Sequence, residues 1–136
     1  MKKREYKISE ESAQFSLDEL LDYYEIDFND LPAAQQDQMG AVERKLIKWI
    51  REGRLEIKTE DGIQCIQTLR NAEQITYREI DGAAKTAMGT KTAEDQHGRV
   101  YAVMGALCGQ GETLITKLKG PDLSLAECLG GLFLLV

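Results

Sequence analysis

The sequence predicts an α+β fold that is mainly α-helical: a helical pair, one antiparallel β-hairpin, then a C-terminal helical bundle. Three observations carry that expectation. Apolar residues recur at helical spacing up to Gly53 and then switch to strict alternation. Asp61-Gly62 sits between the two alternating runs, a strong hairpin signal. After residue 70 helical spacing returns, interrupted by capping residues and by glycine stops.

In chain order, the first helix is expected after Phe15. Ser16 with Glu19 reads as a capping box, and Phe15 with Leu20 as the hydrophobic staple across it. Leu17, Leu20, Leu21 and Tyr24 form its inward face. Residues 1–14 are polar; Tyr6 and Ile8 alternate and could add an edge strand. Pro32 suits the first turn of a long second helix ending near Glu52, with Met39, Val42, Leu46 and Trp49 along its inner stripe. Gly53 stops it.

Leu55, Ile57 and Thr59, then Ile63, Cys65 and Leu69, set strands at about 54–59 and 63–70. A lone ribbon is marginal in water, so helices must cover one face or a third strand must join. Thr76 with Glu79 reads as a second capping box and Ile75 with Ile80 as its staple, ahead of a small-residue face at Ala83, Ala84 and Ala87. Thr92 is placed to cap the next helix, along which Val100, Val103, Met104, Leu107 and Cys108 repeat. Ser124 with Glu127 reads as one more box before the last helix. The chain divides into residues 1–53, a helical segment, and 54–136, the hairpin plus helices, packed together as one unit.

The bulk properties narrow the function. A net charge of −6 and a pI near 4.9 exclude a nucleic-acid groove, which needs a concentrated positive field. Lys2, Lys3 and Arg4 are too small a basic start to alter that. No apolar run reaches membrane length and no secretory signal opens the chain, so a cytoplasmic location is expected. Cys65, Cys108 and Cys128 are scattered, which reads as reduced core thiols.

The catalytic possibilities fall one by one. His97 is the single histidine and sits beside Gly98 in a polar first turn, where a solvated side chain is expected rather than a triad base. No zinc-ligand spacing is present, and Asp27, Asp30, Glu60 and Asp61 lack the spacing of a calcium loop. Gly89-Thr90-Lys91-Thr92 lacks the upstream glycine of a phosphate loop, since Ala84 stands there. Trp49 and Tyr101 read as core. No enzyme and no cofactor are expected.

The last helix is the exception to this plainness. Leu125, Leu129, Leu132 and Phe133 match one core-facing stripe, yet Leu132-Phe133-Leu134-Leu135-Val136 is apolar on every side. Leu132, Leu134, Leu135 and Val136 are therefore the candidate partner-binding residues, for a protein partner or a second copy of the chain.

Residues 55–136 resemble the phage tail assembly chaperone family. The resemblance rests on the hairpin LEIKTEDGIQCIQTL, the segment ITYREIDGAAKTAM and the helix with YAVMGALCG. It continues through GETLITKLKG and the closing Asp-Leu helix PDLSLAECLGGLFL. It implies a small non-catalytic protein of the bacterial cytoplasm that keeps a tape measure protein soluble until the tail tube polymerises around it. Residues 1–53 have no counterpart in that family. The alternative expectation is a phage or bacterial regulator or adaptor whose amino-terminal helices contact a protein partner.

Overall fold

The computed structural model describes residues 6–136, and the basic start at Lys2, Lys3 and Arg4 lies outside them. Tyr6 and Ile8 form no strand. The amides of Lys7 and Ile8 donate to the Arg51 carbonyl, and the Arg51 guanidinium lies 3.9 Å from the Tyr6 ring centre.

Helix α1 spans Glu10–Tyr23, and Ser9 caps it by accepting from the Ser12 amide at 3.1 Å. The start therefore lies upstream of the expected Ser16 box. Ala13 is fully buried, and it extends the Leu17, Leu20 and Leu21 stripe by one more turn. Burying that turn outweighs a cap, which is worth only about 1 kcal/mol. Phe15 consequently points outward and makes no staple; it is 66% exposed. After a 3-10 turn at Phe28–Asp30, helix α2 spans Ala33–Arg51, entered through Pro32 and burying Leu46, Trp49 and Ile50.

The sheet has three antiparallel strands in the order β1-β2-β3: β1 Leu55–Lys58, β2 Gln64–Thr68 and β3 Gln74–Tyr77. Asp61 and Gly62 take positive φ angles in the first turn, as that turn chemistry requires. The third strand replaces the expected Thr76 box. Gln74-Ile75-Thr76-Tyr77 alternates exposed and buried, and Ile66 pairs with Thr76. The register sets Leu55, Gln67 and Ile75 in one row and Ile57, Cys65 and Tyr77 in the next, all on the inner face.

Helix α3 (Gly82–Gly89) is capped by Asp81, whose Oδ1 accepts from the Ala84 amide at 3.0 Å. Helix α4 (Gln96–Cys108) is capped by Asp95 rather than Thr92, through the Gly98 amide at 3.0 Å. The short α5 (Glu112–Thr116) leads to α6 (Pro121–Phe133), which starts at Pro121 after Gly120, so the Ser124 box does not form. Glu127 instead accepts from the Tyr101 hydroxyl at 2.9 Å.

One apolar cluster joins residues from both halves of the chain. It runs from Ala13 and Leu17 through Leu46, Leu55 and Tyr77 to Met104, Leu129 and Phe133. Helix α4 packs on α3, α5, α6 and β3, while α2 packs on α1, α6 and β1. Tyr24 bridges the halves, meeting Phe133 edge-on at 5.6 Å while its hydroxyl accepts from the Ile80 amide at 3.1 Å.

Burial pushes the Cys65 thiol up to about 12 from 9.0 and the Tyr24 hydroxyl up to about 12 from 10.0. Both groups are neutral when folded and ionise earlier when unfolded. Their contribution is fully present below the unfolded values and is lost as pH rises towards the folded ones. Denaturant midpoints are expected to be insensitive to these groups below about pH 9 and to fall between about pH 9 and pH 12. In Cys65→Ala the fall should be shallower, with Cys128 and Tyr24, which burial also raises, supplying what remains. A fall unchanged in size by that substitution would contradict the assignment to Cys65.

Candidate functional site

The amino-terminal end of α6 is fixed to the sheet by a polar network. Gln67 is fully buried in an apolar row; its amide nitrogen donates to the Asp122 carbonyl at 2.8 Å, and its oxygen accepts from the Tyr77 hydroxyl at 2.7 Å. The Asp122 carboxylate lies 3.0 Å from Arg54 Nη2 and 3.4 Å from Arg70 Nε, and it also accepts from the Arg70 amide at 3.2 Å. Arg70 additionally donates to the Lys119 carbonyl at 2.9 Å. Every hydrogen-bonding group of Gln67 thus has a partner, as burial demands.

The other end of α6 is different. Both α2 and α4 pack on it, and an open groove runs between them over its outward face. Two adjoining hollows of about 320 and 480 Å³ share Gln96, Gly131 and Leu134. Met39, Val42 and Lys45 of α2 form one wall, Gln96, His97, Arg99 and Val100 of α4 the other, and Cys128, Gly131, Leu134 and Leu135 the floor.

The floor's depth comes from a pair of adjacent glycines with opposite roles. A Cβ on Gly130 would lie 2.5 Å from Val100 Cγ1, so that glycine lets α4 and α6 approach closely. A Cβ on Gly131 would meet nothing within 4 Å, so that glycine leaves the groove open.

The expected partner-binding residues divide along the same line. Leu134, Leu135 and Val136 are half-buried, and the first two contribute to the groove. Leu132 has no exposed surface. It belongs to the core and drops out of the candidate surface, because it lies on the buried face of α6 with Leu125 and Leu129, whereas Leu134 and Leu135 follow the last helical residue, Phe133.

Polar groups edge the groove as well: Gln35, Gln38 and Lys45 from α2, Gln96, His97 and Arg99 from α4, and Ser124 and Glu127 from α6. His97 is exposed, stacks on Tyr101 with ring centres 6.1 Å apart, and lies 3.7 Å from Glu127 Oε2. Burial raises the Cys128 thiol above its ordinary value, with Lys45 opposing, so the thiol stays protonated at neutral pH. Lys45 and Arg99 have no ion-pair partner among the described residues. Also among the described residues, no group of three His, Cys, Asp or Glu side chains could hold a metal, and no helix is long and apolar enough to cross a membrane.

Of the four candidate residues, Leu134 and Leu135 lie on the floor, while Cys128, Gly131 and the walls have no signal in the sequence: Val42 and Val100 fall on inward stripes, and nothing indicates that α2 and α4 stand apart over α6. Compared with protein-family models, curated proteins and solved structures, the chain matches none.

Proposed function

We propose that this chain is a non-catalytic binding protein that shields an apolar helix of a protein partner. It would act in the manner of the phage tail assembly chaperones that residues 55–136 resemble, in the cytoplasm of a bacterial host. The observation that carries this reading is the open groove between α2 and α4, with Gly131, Leu134 and Leu135 as its floor. A helix with an apolar stripe fits such a groove through anchors one turn apart. A tape measure protein, rich in helices with long apolar stripes, is the client this reading names.

The test is co-expression with a phage tape measure protein, reading the soluble yield of that protein. Replacing Leu134 and Leu135 together with Ser is expected to lower the yield while the chain itself stays folded. Both side chains are only half-buried, so the loss of stability should be roughly 2 kcal/mol in total. Gly131→Gln should act the same way without that loss, because its side chain enters empty space and Gln is the better helix former. Full solubilisation by both variants would place the client surface outside this groove.

A further inference from the structure

We propose that, without a client, the groove is occupied by helix α1 of a second copy of this chain. The proposal rests on the groove reading above but needs no client for its test. Two features separated in the fold are complementary. The outward side of α1 carries Glu11, Phe15, Asp18 and Asp22, spaced four, three and four residues apart, which places all four on one stripe. All four are exposed, and Phe15 is the most exposed large apolar side chain among the described residues. None of the three acids has an ion-pair partner there.

The groove supplies the matching set. It offers an apolar floor at Leu134 and Leu135, space above Gly131, and the unpaired cations Lys45 and Arg99 on opposite walls; its one carboxylate, Glu127, accepts from the Tyr101 hydroxyl and lies beside His97. In a chain of net charge −6, a site edged by two unpaired cations selects an acidic ligand with an apolar anchor. The α1 stripe is such a ligand.

It cannot reach the groove of its own molecule. Ala13, Leu17 and Leu20 are fully or almost fully buried, holding the opposite face of α1 against α2 and the sheet. Only another molecule can present the stripe. Reciprocal docking of each α1 into the other's groove closes a two-fold pair. Phe15 then seats over Gly131, with the carboxylates toward Lys45 and Arg99. A client helix would displace α1 from the same floor.

Sedimentation velocity on the reduced full-length chain, over a wide concentration series, tests the proposal. A dimer is expected, weakened by salt because its charges sit at the rim. Phe15→Ser and Gly131→Gln should each raise the dissociation constant by about tenfold or more, the loss typical of a central anchor. Their circular dichroism and melting should show a folded chain.

A charge exchange gives the decisive arm. Lys45→Glu with Arg99→Glu, and separately Glu11→Lys with Asp18→Lys, should each abolish homodimers, and mixing the two folded variants should restore a dimer. A wild-type chain that stays monomeric overturns the proposal, as does a dimer indifferent to Phe15→Ser and Gly131→Gln. So does a mixture of the folded charge variants that remains monomeric. Loss of client solubilisation alone, with this dimer intact, would count against the client reading and not against this one.

Discussion

Gly105→Ala is expected to destabilise the chain by roughly 3 kcal/mol or more, at the upper end of what overpacking a tight contact does. A methyl group on Gly105 would stand 2.3 Å from both the Gly111 carbonyl carbon and the Glu112 amide nitrogen. These are backbone atoms, so no side chain can swing aside. The same approach is fastened by the Gly111 amide, which donates to the Gly105 carbonyl at 3.0 Å. Moving α5 away would break that bond and uncover Ile115, which is fully buried. Urea unfolding of the purified variant gives the value. A loss below about 1 kcal/mol would mean that α5 gives way freely, which the close packing of protein interiors argues against.

Asp122→Ala is expected to lose roughly 3 kcal/mol. Its carboxylate is almost enclosed, with its side chain 12% exposed, between Arg54 and Arg70, and it also accepts from the Arg70 amide. Removing it leaves the largely buried Arg54 guanidinium and the Arg70 amide without their acceptor, while the half-exposed Arg70 side chain keeps the Lys119 carbonyl and water. Its place in the first turn of α6 adds the attraction of the positive helix end. Asp122→Asn keeps an acceptor and removes the charge, so it should lose about half as much. Thermal or urea unfolding of the two variants checks the order. Equal, small losses in both would show that Arg54 and Arg70 find water instead.

The two predictions bear on function through α6. Both fix how this helix and its neighbours are held: α6 is seated at one end by Asp122, along its length by Leu125, Leu129 and Leu132 in the core, and flanked at the other end by α2 and α4. A weak variant at either position should therefore reduce dimerisation and client binding together. Leu134, Leu135 or Gly131 variants should reduce them without unfolding the chain.

The sequence by itself determined the class of fold, the helical periods, the turn at Asp61-Gly62 and the apolar character of the closing segment. These follow from local sterics and side-chain spacing, which act within a few residues. Helix starts were less legible, because several Ser, Thr and Asp residues compete for each cap at nearly equal free energy. Burial of Ala13 settled the matter for Ser9 over Ser16, and strand pairing with Ile66 removed Thr76 from contention. Only the tertiary structure decided that Gln67 is buried, that Asp122 holds Arg54 and Arg70, and that Leu132 lies inside while Leu134 lines a groove. Asp122 stands more than fifty residues from Arg54, Gln67 and Arg70, and the groove walls come from helices on either side of the sheet in the sequence. No local pattern encodes such pairings, because the free energy that selects them appears only when distant elements are packed together.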